Sequence, residues 1–331
     1  MKISLVAGLI LSAALANSAF AAASNYKIVD RIKVPDGGFD YATYDAATGN
    51  ILMPRTDFTT VIDTKTNKVS QIKNADHGHI ALPVPGTPLL VLTQRAGTVR
   101  ITDKTKDTVV ADLLVGKNPD GATYDPLTKM VFVMNHDDGN STMVDVAAKR
   151  SVATIKVGGE LEFPVSDGAG KVFVNVANVP EIAVIDVKTK QVTARYKLAG
   201  CMDASGLAYI AESKLLISAC ANEMAKVVDA NTGKEVASLK IGAAPDAVIY
   251  DAARKLAFIP SGGAGVLEVI SLADPAHISV IQHVQTERGS RTGTVDPTTG
   301  KLYLMSSKPD PNAKGRGQRL AGSFEVLVIA P

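Results

Sequence analysis

Seven residues occupy one position of a recurring phrase. Asp40, His79, Asp120, Glu162, Ser205, Asp246 and Arg291 each stand five residues before the close of an apolar segment, at Asp45, Val84, Asp125, Asp167, Ile210, Asp251 and Asp296. Six of the seven ionise. Four carboxylates drawn together repel one another and need a cation, a proton or Arg291 beside them. A hard divalent cation held by Asp40, Asp120, Glu162 and Asp246, with or without His79, is one answer. An ordered water network with His79 and Arg291 as counter-charges is another, and a bound small polar ligand is a third. A ring of seven is too wide to close on one ion, so a metal would sit off-axis near three or four of its members. His77, Glu160 and Asp203 stand two residues ahead of their ring positions and, by the alternation of a strand, share the ring's face. His77 and His79 are the candidates for a general base, because imidazole titrates near neutrality, and Arg291 is a further catalytic candidate with no role assigned.

These residues converge only if the segments carrying them are arranged about one axis, and the chain repeats as that requires. Asp63, Asp103, Asp145, Asp186, Asp229 and Ser271 each close a third apolar segment and recur every 40 to 43 residues, with Val326 to Ile329 as the last copy. Each unit offers four short β-branched runs separated by turns such as Ala46-Ala47-Thr48-Gly49 and Asn231-Thr232-Gly233-Lys234. One such unit cannot bury both faces, but seven in a circle can. The expectation is an all-β, seven-bladed β-propeller with four-stranded blades and one domain over 22–331. No fourth strand follows the last copy. Tyr26 to Ile32 matches the fourth strands elsewhere and is expected to close the last blade, leaving no open seam. The repeating Asp residues before the turns read as turn caps.

The 331 residues carry 35 Lys+Arg against 33 Asp+Glu, a balance that lacks the basic excess of a nucleic-acid binder. Met1-Lys2, an apolar run to Ala16 and Ala19-Phe20-Ala21 have the form of a signal peptide over 1–21, which places the remainder in the periplasm or outside the cell. No later stretch is long and apolar enough for a membrane span. Cys201 and Cys220 flank a hairpin centred near their midpoint, so a disulfide is expected in an oxidising compartment. Metal ligation would want zinc-ribbon spacing and a redox pair would want Cys-x-x-Cys, and the chain has neither. With no Trp, a tryptophan-docking motif of the quinoprotein kind is excluded.

Phe39-Asp40-Tyr41, Asn118-Pro119-Asp120-Gly121-Ala122-Thr123-Tyr124-Asp125, Ala244-Pro245-Asp246-Ala247 and Arg288-Gly289-Ser290-Arg291-Thr292 together resemble the blade phrases of the YVTN-type bacterial propellers. The literal tetrapeptide is absent; Val131 to Asn135 and Val172 to Asn175 are its nearest forms. The resemblance spans the chain after residue 21 and implies an exported propeller with a binding or scaffold role, without naming a reaction. The reading that follows is a monomer that takes a small ligand, an ion or a periplasmic partner protein at the polar channel mouth (Asp40, His79, Asp120, Glu162, Asp203, Asp246, Arg291). The alternative is a metal-assisted lactonase or hydrolase. One divalent ion among Asp40, His79, Asp120, Glu162 and Asp246 would then be its cofactor. The Pro- and Gly-rich stretch from Ser307 to Gly322, with Lys308, Lys314, Arg316 and Arg319, reads as a surface loop or as a basic flap over one face of the channel.

Overall fold

A computed structural model describes residues 25–310 and 319–331. Every regular element in it is a strand, and the strands form seven four-stranded antiparallel sheets. The first blade is Thr43–Asp45, Asn50–Pro54, Thr59–Asp63 and Val69–Ile72, running from the axis outward. The second to sixth blades repeat this order with inner strands Gly78–Pro83, Pro119–Asp125, Leu161–Ser166, Ala204–Ile210 and Ile249–Asp251. The seventh takes Gly293–Val295, Leu302–Ser306 and Glu325–Ala330 from the end of the chain. Its outer strand is Lys27–Lys33, which pairs antiparallel with Glu325–Ala330. The ring is therefore a seven-bladed β-propeller closed by the expected strand. The proposed signal segment lies outside the described residues, as do Lys314 and Arg316.

The residue types explain the layers. Second strands are buried on both faces and read as mostly apolar runs, such as Met130–Asn135 and Lys171–Val176. Outer strands such as Arg150–Lys156 alternate polar residues toward water. The core is divided into seven apolar clusters, each filling the gap between neighbouring blades. Asp63, Asp103, Asp145, Asp186 and Asp229 accept hydrogen bonds from backbone N–H groups of their own turns. They are caps, as their position suggested.

Cys201 and Cys220 are bridged, with Cα atoms 5.4 Å apart. Simple hairpin register does not bring them together, because Cys220 faces Ala204 across the ladder. The left-handed backbone at Gly200 and Asp203 curls Cys201 back onto the strand end. With a sequence separation of 19, the bridge contributes roughly 3 kcal/mol by loop closure. A Cys201→Ser/Cys220→Ser variant should be less stable by about that free energy, read from equilibrium urea curves.

Candidate functional site

The ring residues reach the axis through a local irregularity shared by four blades. Gly78 pairs with Gln94 but Ala81 with Leu92, and the same slip occurs at Pro119/Ala122, Leu161/Pro164 and Ala204/Leu207. Each slip is a β-bulge that contains the ring residue, namely His79, Asp120, Glu162 or Ser205, and a bulge re-aims the side chain it carries. In the other blades the inner strand proper starts later, so Asp40, Asp246 and Arg291 precede it. Gly121 lets adjacent blades close up at this level: a Cβ there would lie 2.6 Å from Pro164 Cδ and 3.2 Å from the Glu162 carbonyl oxygen.

A girdle of hydrogen bonds between blades holds the ring backbone. Thr292 donates its hydroxyl to the Asp40 carbonyl at 2.7 Å, Tyr41 N–H to the His79 carbonyl at 3.1 Å, and Thr93 to the Asp120 carbonyl at 2.9 Å. Asn175 donates to the carbonyls of Ser205 and Gly206, and Ser205 passes the link on to Pro245. The ring's one neutral member is thus part of the girdle.

His79 Nδ1 lies 2.7 Å from Asp40 Oδ2 and 3.0 Å from Asp120 Oδ1. His136, at the end of the third blade's second strand, places Nδ1 3.2 Å from Glu162 Oε1. Two groups of potential ligand atoms result, Asp40–His79–Asp120 and Asp120–His136–Glu162, each within 4.8 Å. Asp120 belongs to both. The ring therefore resolves into an arc over the first four blades, with Asp246 outside it. Asp246 instead accepts a 2.6 Å hydrogen bond from Arg291 Nε, and Arg291 Nη2 lies 3.8 Å from Asp40.

Two expected neighbours do not join this arc. His77 and Asp203 both have left-handed backbone and precede their strands, so strand alternation does not carry their side chains to the ring. The His77 imidazole is 60% exposed and pairs with Asp76 at 3.0 Å. Glu160, half exposed, approaches His136 Nε2 only to 4.0 Å. His136 and Tyr41 were not anticipated. Tyr41 reaches from the first blade and donates its hydroxyl to Glu162 Oε2 of the fourth at 3.2 Å. Its ring packs on Phe163 with centroids 4.8 Å apart. These two rings floor the polar mouth, and a separate cavity of about 180 Å³ lined by Ala42, Ala247, Val248 and Val295 lies beyond them.

Burial alone would lower the His79 pKa, but hydrogen bonds and charge from Asp120 and Asp40 push it up to about 10. The bond to Glu162 lifts His136 to about 9. Burial raises Asp40 and Asp120 despite His79, and raises Asp246 to about 7 against the pull of Arg291. Burial and the surrounding carboxylates keep the Tyr41 phenol protonated, as its role of donor requires. Every one of these groups binds protons more tightly in the folded state. For the histidines that stability is whole below the ordinary 6.5 and disappears as pH climbs through about 9 to 10. For Asp246 it disappears between 3.8 and about 7. The protein in chelator should therefore melt at steadily lower temperature from pH 6.5 to 10 in calorimetry; a flat profile would contradict the arrangement.

Fold and site together define a seven-bladed β-propeller with a His-carboxylate arc at one channel mouth. No family model matches the chain, and no curated protein sequence matches it. Among solved structures, it is similar over 99% of its length to 99% of a chain from a mitotic checkpoint complex, with a TM-score of 0.76 and 13% identity. It is also similar to a chain of the hydrazine synthase of Kuenenia stuttgartiensis. There the TM-score is 0.73 and the identity 14%, over 82% of this chain and 94% of that one. Likeness at this level of identity establishes the fold alone.

Proposed function

We propose that this protein is an exported propeller of the YVTN type that binds one divalent cation at its channel mouth, and a small polar ligand with it. The observation that carries the reading is Asp120, one carboxylate shared by two His-carboxylate groups. Donors 2.7 and 3.0 Å apart match the roughly 3 Å edge between adjacent ligands of an octahedral ion at about 2.1 Å. Imidazole among carboxylates favours Mn²⁺ or Zn²⁺ over Ca²⁺. Export is supported by the form of residues 1–21 and by the disulfide. No helix among the described residues is long and apolar enough to cross a membrane.

Without a cation, the imidazolium of His79 fills the place between Asp40 and Asp120. A metal must displace that proton before the nitrogen can bind it. Mn²⁺ titrations should accordingly release protons, and affinity should rise by about tenfold per pH unit between pH 7 and 9. Affinity independent of pH would remove His79 from the ligand set, and absence of binding would end the proposal.

One observation favours the hydrolase reading as the second. A cation on the Asp40–His79 side of Asp120 leaves His136 beside it, where added positive charge would bring the imidazole down toward neutrality and make it a base. Loss of lactone or ester turnover in His136→Gln with the metal still bound would establish this reading. Equal rates in the two proteins would dismiss it.

A further inference from the structure

A hollow of about 480 Å³ opens between residues 36–39 and the segment 319–324. Phe39 and Phe324 form its apolar walls, their rings edge to face with centroids 6.5 Å apart. Two guanidinium groups, those of Arg291 and Arg319, face into it, and Asp36 lies at its rim.

The charges do not cancel. Arg291 is matched by Asp246 at 2.6 Å and by Asp40 beyond it, and its guanidinium lies over the Phe39 ring at 5.4 Å. The Asp36 carboxylate accepts both its hydrogen bonds from Gly322 N–H, and its charge falls on the buried guanidinium of Arg55 behind the loop. Arg319 has neither a hydrogen bond from its side chain nor an ion pair among the described residues. It is partly buried, and burial and the charge of Arg291 both weaken its hold on its proton. A cation kept beside a second cation, without an acceptor, is an arrangement that an anion relieves.

The position of Arg319 is also built. Its guanidinium lies against Gly289, whose φ is +92°, and a Cβ there would come within 2.5 to 2.8 Å of three guanidinium atoms. Glycine at 289 both permits this backbone and leaves the space that the side chain occupies.

We propose that this hollow binds the carboxylate of a small organic monoanion, with Arg319 as its ion-pair partner and its apolar body against the Phe39 and Phe324 walls. One uncompensated charge suits a carboxylate better than a phosphate dianion, and a planar guanidinium meets a carboxylate through two parallel hydrogen bonds. The aromatic walls give a flat or aliphatic body apolar surface to cover. The site uses none of the His-carboxylate arc, so it stands whether or not a cation binds there.

The test is calorimetric titration of the full chain in EDTA with benzoate, its neutral analogue benzamide, and phenyl phosphate. Benzoate should bind saturably at one site, and Arg319→Gln should weaken it by about tenfold or more while the circular dichroism and melting temperature stay unchanged. Gly289→Ala, which keeps Arg319 but takes its space, should weaken benzoate similarly. The proposal is overturned by absence of benzoate binding up to about 20 mM, by benzamide binding as well as benzoate, or by affinity unaltered in Arg319→Gln. Unaltered affinity in Gly289→Ala would overturn the assigned place of Arg319. Phenyl phosphate binding more tightly than benzoate would overturn the choice of a monocarboxylate.

Discussion

Replacing Asp120 with Asn should abolish cation binding, whereas Asp40→Asn and Glu162→Gln should each leave a weaker site. Asp120 is the one side chain common to both ligand groups, and it is buried in the inner strand of the third blade. Loss of a supporting residue around a metal typically costs 10–100-fold in affinity; loss of a shared ligand should cost at least about a hundredfold. The fold should survive. Burial and the Glu162 charge already make the ionised form of Asp120 unfavourable, so an isosteric neutral amide relieves repulsion. In chelator, the variant should stay folded at pH 7 but lose part of the wild type's fall in melting temperature between pH 6.5 and 10, because Asp120 is the main support of the raised His79 pKa. Isothermal titration with Mn²⁺ and a melting curve give both readings. Near-normal affinity would show that Asp120 is not the shared ligand.

The second large effect concerns stability and falls on Arg55. This side chain is 1% exposed and makes no ion pair among the described residues. Its guanidinium donates to the carbonyls of Gly38 at 2.6 Å, Pro35 at 2.8 Å and Gly37 at 2.9 Å, and to Thr60 Oγ1 at 3.3 Å. It lies between the rings of Phe58 and Phe324, at 5.7 and 5.4 Å. Burial brings its pKa down to about 10, still far above physiological pH. Arg55 thus ties the loop 35–38, which leads directly into Phe39 and Asp40, to the body of the first blade. Arg55→Met keeps the volume but leaves three carbonyls without their donor. The expected loss is about 3–5 kcal/mol in urea unfolding, with weaker binding at both the arc and the hollow. A loss below about 1 kcal/mol would mean that the loop is held by other contacts.

The architecture was legible because its signal is periodic: a turn-capping Asp every 40 to 43 residues cannot drift without breaking the ring. Alignment on the strand ends also found Asp40, His79, Asp120, Glu162, Asp246 and Arg291, since equivalent positions in a propeller share a height along the axis. Contacts between blades left weaker traces. His136 closes a second strand and joins the arc only because the neighbouring blade sets Glu162 opposite it. Tyr41 could be read as apolar filling until its hydroxyl was seen to cross the channel. His77 and Asp203 were misplaced for a local reason, since alternation holds within a strand and both residues precede one in left-handed conformation. Arg319 sat in a basic stretch whose composition gave no hint that glycine at 289 would seat it beside Arg291.

We infer that the arc over the first four blades is a cation site. Elemental analysis tests it most directly, on full-length protein recovered without chelator, incubated with Mn²⁺ and Zn²⁺ and freed of excess by gel filtration. The wild type should retain about one equivalent of metal and Asp120→Asn none. A folded wild type that retains no metal would contradict the claim and leave the arc as an imidazolium-carboxylate lining of the channel mouth.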